Sequence, residues 1–194
     1  MASTRRKVPT HMTAAEFLAW SGDGLGGRYQ LIDGELRAVS PASTTHGTIQ
    51  ATLVRMIGNH ISGAPARCRL VTEPAVEVRV HADINMRVPD IGVSCAPDVA
   101  GQIALPEPLL LIEILSPGNA KDTWDNVWAY TTLPSLQEAL IVHSTRIGAE
   151  ILRRDADGTW AAQTEKLGDD DVIHLTSIGF AAPLREAYVN TYLA

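Results

Sequence analysis

The 194-residue chain is short of cysteine, of long apolar runs and of positive charge, and each shortage removes a class of protein. Its two cysteines, Cys68 and Cys95, show no metal or redox spacing, so a reduced cytoplasmic interior is the simpler setting. A domain of this length buries roughly 70% of its unfolded surface and needs neither disulfides nor a structural metal to hold together. The longest apolar run, Pro108 to Ile112, is broken by Glu113 and falls far short of the roughly 20 residues a membrane span requires. A basic cluster in Ser3–Pro9 has no apolar segment behind it, so no secretory signal is expected. With 16 Lys and Arg against 22 Asp and Glu, the net charge of −6 argues against coating nucleic acid by charge alone. It is compatible with an enzyme whose groove is locally basic. Repeats, low-complexity tracts and Ser/Gly linkers are also missing, so the expectation is one domain over 12–194 behind a flexible segment, 1–11.

What is present reads as an α/β domain with one mixed sheet. Thr13-Ala14-Ala15-Glu16 is a capping box opening a helix from Ala14 to about Trp20. Tyr29–Ile32 and Glu35–Val39 flank Asp33-Gly34 as a hairpin. Ile49, Leu53, Met56, Ile57 and Ile61 recur on one face of a helix from about Thr45 to Ser62, closed by Gly63. Val76, Val78 and Val80 alternate with charged residues as a half-buried strand, and a further strand covers Met86 to Cys95. Leu109–Leu115 has the continuous apolar character of a strand covered on both faces. Asp122 is placed to cap a helix running to about Thr132, with Trp124, Val127 and Trp128 toward the core. Strands near Ala139–His143 and Ala149–Arg153, a return from Trp160 to Lys166 and a last helix over Leu184–Val189 complete the reading.

Glu113 is out of place in that scheme. An ionised carboxylate inside Leu109–Leu115 loses its hydration, which costs several kcal/mol unless a cation, a hydrogen-bond cage or a water-filled pocket is supplied. Asp90, between Pro89 and the apolar Ile91-Gly92-Val93, poses the same problem at the start of another strand. If the two strands pair, both carboxylates meet at one end of the sheet. Two convergent hard oxygen donors suit Mg²⁺, which takes one or two carboxylates together with water and substrate phosphate. A metal so held polarises a phosphoryl oxygen and acidifies bound water, as phosphodiester hydrolysis requires. Pairing of Glu113 with Arg87 or Arg79 is the ordinary structural alternative.

Met12–Leu18, then Arg28-Tyr29-Gln30-Leu31-Ile32-Asp33-Gly34-Glu35-Leu36, then His46 resemble the Uma-type endonuclease family. Val88-Pro89-Asp90-Ile91, Leu111-Ile112-Glu113-Ile114-Leu115-Ser116-Pro117, Asp122 and Tyr130 continue the resemblance in the same order, over about residues 12–190. The resemblance implies the PD-(D/E)XK restriction-endonuclease-like fold, a mixed central sheet flanked by helices. It also implies Asp90 and Glu113 as ligands of Mg²⁺ or Mn²⁺, with a lysine close by. The superfamily's lysine position is occupied by Leu115. The Uma-type position, four residues after Asp122, holds Asn126, so the face shared by Asp122, Asn126 and Tyr130 lacks its cation. Lys121 is the candidate substitute, and Gln30 stands where that family usually has glutamate. Glu35 is a candidate outer carboxylate. His46 is expected to face the cleft, both by the resemblance and by its place at a helix start, where backbone N–H groups favour phosphate.

Other motifs carry less. Gly22-Asp23-Gly24-Leu25-Gly26-Gly27 matches a dinucleotide fingerprint but follows a helix where a strand is required. The remaining histidines lack zinc spacing. Trp124 and Trp128 can stack on bases but stand at core spacing. The expectation is therefore a metal-dependent endonuclease-like hydrolase acting on DNA as a homodimer. The alternatives are an inactive nuclease-fold binding module and a small-molecule phosphohydrolase, both of which the absent lysine and the acidic charge favour.

Overall fold

The capping box forms as the sequence specifies. In the computed structural model, which describes residues 8–64 and 67–194, α1 spans Ala14–Ala19, with Thr13 and Glu16 bonded reciprocally. The basic cluster Arg5-Arg6-Lys7 and most of the 1–11 segment lie outside the described residues. Met12 is buried, its N–H bonded to the Gly34 carbonyl at 2.8 Å. β1 (Arg28–Ile32) and β2 (Glu35–Val39) form the hairpin. Asp33 and Gly34 both take positive φ, as a type I′ turn requires. The His11 ring fills the space a Cβ on Gly34 would need.

α2 (Thr44–Ser62) is capped by the Ser43 hydroxyl and buries Ile49, Leu53, Ile57 and Ile61. The main sheet has six strands in the order β3-β4-β5-β6-β7-β8: β3 (Arg69–Thr72), β4 (Ile91–Ser94), β5 (Pro108–Leu115), β6 (Glu138–His143), β7 (Ala149–Arg153) and β8 (Glu165–Leu167). Only β5 and β6 run parallel, joined by α3 (Ala120–Tyr130). α2 packs on one face, where its four isoleucine and leucine side chains meet Ile91, Val93, Leu110, Ile112 and Ile114. α3 covers the other, through Val127, Ala129 and Tyr130 against Leu111, Ala139 and Ile141. β5 is thus enclosed on both sides, which is why its apolar run does not alternate. A separate ribbon, β9 (Val172–Leu175) with β10 (Phe180–Pro183), lies beside the first core.

Several expectations need correction. Val76–Val80 is no strand: Val76 and Val78 are buried, but pairing stops at single bridges, and the chain turns through His81 into a 3-10 turn at Ala82–Ile84. The strand expected from Met86 begins at Ile91, because Pro89 has no N–H to continue the ladder. Trp128 is 53% exposed and not part of the core. The last helix is a short 3-10 turn, Leu184–Tyr188. Cys68 and Cys95 are joined by a disulfide. The register that pairs Arg69 with Ser94 sets the two cysteines opposite each other at the end of β3 and β4.

Candidate active site

Asp90 and Glu113 come together through strand register. β4 and β5 pair antiparallel with Ile91 opposite Ile112, and one further step sets Asp90 opposite Glu113. Facing cross-strand residues have Cβ atoms roughly 5 Å apart. Both side chains line a cleft of about 440 Å³ whose walls also include Arg28, Gln30, His46 and Asn126. A larger cavity, about 640 Å³, lies around Val76, Leu105 and Leu133 and holds none of the candidate residues.

Asp90 is held from several directions. Its Oδ2 accepts the Ile114 N–H at 2.7 Å, replacing a ladder bond with a side-chain one. Its Oδ1 lies 3.0 Å from His46 Nε2, and His46 Nδ1 lies 3.1 Å from the Ser116 hydroxyl. An Nε2–H tautomer satisfies both contacts, donating to the carboxylate and accepting from the serine. The Asp90 carbonyl accepts from Gln50 Nε2 at 2.9 Å and from the Glu73 N–H at 3.0 Å. His46 reaches this point because the Ser43 cap starts α2 beside the end of β5.

Glu113 is held more loosely. Its Oε1 accepts the Tyr130 hydroxyl at 2.7 Å and Asn126 Nδ2 at 3.4 Å, both from α3. Its Oε2 makes no hydrogen bond to the described residues. The arginine alternative fails: Arg87 donates instead to the Leu31 carbonyl and Asn85, and Arg79 is exposed. Burial first, and then the neighbouring Asp90 charge, push the Glu113 carboxyl up to about 8. The Tyr130 phenol, raised well above its ordinary range by burial and by Glu113, remains a donor.

Asp122 lies at the cleft mouth, exposed. The structure does not bring Lys121 or Glu35 into the cleft. Lys121 is 85% exposed and bonded to Asp125 one turn along α3, on the outer face of the helix. Glu35 pairs with Arg37 at the turn end of β2, while the cleft is lined by Ala38 and Val39 at the other end. Arg28 and Ser116 fall within the runs that carry the family resemblance, but nothing in the residues themselves singles either one out. Arg28 Nη1 forms an ion pair with Glu73 Oε1 at 2.9 Å, and its Nη2 lies 4.0 Å from Asp90 Oδ1.

Residues 14–185 match the family described as "Uma2: Putative restriction endonuclease". The chain belongs to the Uma2 family. A Synechocystis sp. (strain ATCC 27184 / PCC 6803 / Kazusa) relative, "Uncharacterized protein slr1290", is 26% identical over 172 residues, covering 88% of this chain and 87% of that protein. The fold is that of a solved structure from Anabaena variabilis ATCC 29413, described as a "putative nuclease belonging to DUF820". Its TM-score is 0.71 at 19% identity, over 91% of this chain and 97% of that one. The Uma2 assignment and this likeness agree on a nuclease-type α/β architecture, a mixed six-stranded sheet with helices on both faces.

The donor set fits a divalent cation. Glu113 Oε2 is uncommitted, and burial together with the opposing Asp90 charge drives the carboxyl to hold a proton. Asn126 Oδ1 is a buried acceptor with no donor. Among the described residues no group of three or more His, Cys, Asp or Glu is placed to hold a metal ion, and His46 is already engaged with Asp90 and Ser116. That leaves two protein oxygens and room for water, the arrangement Mg²⁺ prefers. No described helix is long and apolar enough to cross a membrane.

Proposed function

We propose that this Uma2 protein is a Mg²⁺-dependent endonuclease that hydrolyses DNA phosphodiesters, with Mn²⁺ as a substitute. The observation that carries the reading is the pair Asp90 and Glu113, opposed across two strands in a cleft, with no described arginine bonded to Glu113. Asp90 and Glu113 would hold the ion. When bound, it supplies Lewis acidity toward a phosphoryl oxygen and a more acidic water.

The chain's own residues do the rest. His46 and the Ile114 N–H fix the Asp90 oxygens, so little reorganisation is left for the moment of reaction. Tyr130 and Asn126 hold one oxygen of Glu113 and leave the other free to face the cleft. Asn126 donates to Glu113 through Nδ2, while its own Oδ1 is buried without a donor. Cutting both strands of a duplex needs two such sites, so the working unit in this reading is a homodimer.

A second reading, a nuclease-fold module that binds without cutting, is favoured by one observation: Asn126 and the outward-turned Lys121 leave α3 with no cation in the cleft. Plasmid nicking with Mg²⁺ or Mn²⁺ separates the two. Cleavage by the parent, falling on the order of 10³-fold in Asp90→Ala, is expected. Equal cleavage by parent and variant, or none by the parent, would favour the binding module.

A further inference from the structure

We infer that Arg28 is the catalytic cation of this cleft, contacting the non-bridging oxygens of the scissile phosphate as charge accumulates there. The inference rests on the nuclease reading above. Attack at phosphorus concentrates negative charge beside Asp90, Glu113 and Asp122, which already line the cleft. Of the described residues lining it, Arg28 alone carries a permanent positive charge. The other candidates are committed elsewhere. Lys121 bonds Asp125 on the outer surface, Arg87 is spent on a backbone carbonyl and Asn85, and His46 bridges Asp90 and Ser116.

Arg28 is also held in place while remaining incompletely used. Glu73 grips Nη1 at 2.9 Å, and Glu73 is itself tied to the Asp90 carbonyl through its own N–H. The guanidinium is therefore fixed relative to Asp90. Its Nη2 stands 4.0 Å from Asp90 Oδ1, too far for a hydrogen bond, and its Nε–H is buried without an acceptor. A planar guanidinium anchored at one corner, with Nη2 left unbonded beside Asp90 at the cleft wall, suits a phosphate.

Hydrolysis adds the oxygen of water to phosphorus, breaks the bond to one sugar oxygen and returns a proton to that oxygen. Arg28 neither gains nor loses a proton in this step. It acts by charge, which distinguishes it from a lysine able to serve as base.

The test compares the parent with Arg28→Met, Arg28→Lys and the double variant Arg28→Met/Asn126→Lys. Cleavage of a short duplex is measured with Mg²⁺. Affinity for the same duplex is measured by fluorescence anisotropy in EDTA over a range of salt. Arg28→Met is expected to lose on the order of 10²-fold in cleavage. Its log affinity against log salt should flatten by about one unit. Arg28→Lys should recover part of both, and the Asn126→Lys double variant part of the cleavage, by supplying charge from α3. A merely structural Arg28 would leave the salt slope of the folded variant unchanged, and that result overturns the inference. Arg28→Met cleaving like the parent while Asp90→Ala is dead also overturns it but spares the nuclease reading. A parent without Asp90-dependent cleavage removes both.

Discussion

Glu113 on β5 and Glu138 on the neighbouring β6 are both buried, 8% and 1% exposed, yet their surroundings differ in kind. Glu138 is saturated. Arg153 pairs with its Oε1, the N–H and hydroxyl of Thr176 bond the same oxygen at 3.1 and 3.0 Å, and those of Ser177 bond Oε2 at 2.9 and 2.5 Å. Glu113 has a tyrosine and a long contact to an asparagine on one oxygen, nothing on the other, and a second carboxylate opposite. The first arrangement pins the β9–β10 ribbon to the main sheet. The second leaves a charge deficit at a cleft wall. Burial of an acid alone says little about its role; what decides is whether the fold itself completes the shell.

The comparison breaks most readily through stability. Glu138→Gln should cost about 3–5 kcal/mol, since Arg153 and four donors are then left facing a neutral group. Glu113→Gln should be near neutral at pH 7 without metal, where the parent carboxyl already holds a proton, and stabilising above about pH 8, where that carboxyl must ionise uncompensated. Urea unfolding of both variants in EDTA checks this, and equal losses would erase the distinction.

A smaller effect sharpens it. The Glu113 carboxyl is raised from its ordinary value to about 8 in the folded chain, so folded protein binds a proton that unfolded chain releases. This contribution to stability is fully present below pH of about 4.5 and declines as pH rises toward 8. Its slope is at most about 1.4 kcal/mol per pH unit. Glu113→Gln should abolish that slope, whereas a parent whose metal-free stability is flat from pH 5 to 8 would show that Glu113 is already neutralised.

The legible parts of this molecule were those written locally. The hairpin turn, the α2 stripe and the β5 run each declare themselves within a dozen or so residues, and Glu113 stands out against the last of these. Asp90 was visible because Pro89 and an apolar strand bracket it. Features that depend on pairing between distant segments were not. The Cys68–Cys95 disulfide follows from the β3–β4 register, and β3 itself has too little periodicity to be read in sequence. Lys121 illustrates a different limit. α3 starts at Ala120, before Asp122, and the Asn119 side chain bonds the Ser116 N–H and does not cap the helix. Lys121 then sits one turn before Asp125, which takes its ammonium out of the cleft. Arg28 escaped for the opposite reason: an arginine opening a strand is unremarkable until the fold sets it beside Asp90.

The central claim is that the two opposed carboxylates form one cation site, and calorimetric titration of Mg²⁺ or Mn²⁺ into the purified protein at pH 7, in buffers of different ionisation enthalpy, tests it most directly. The account predicts a single site per chain, binding accompanied by release of up to one proton from Glu113, and loss of the signal in both Asp90→Ala and Glu113→Gln. Binding that is undiminished in those variants, or no binding by the parent, would contradict it.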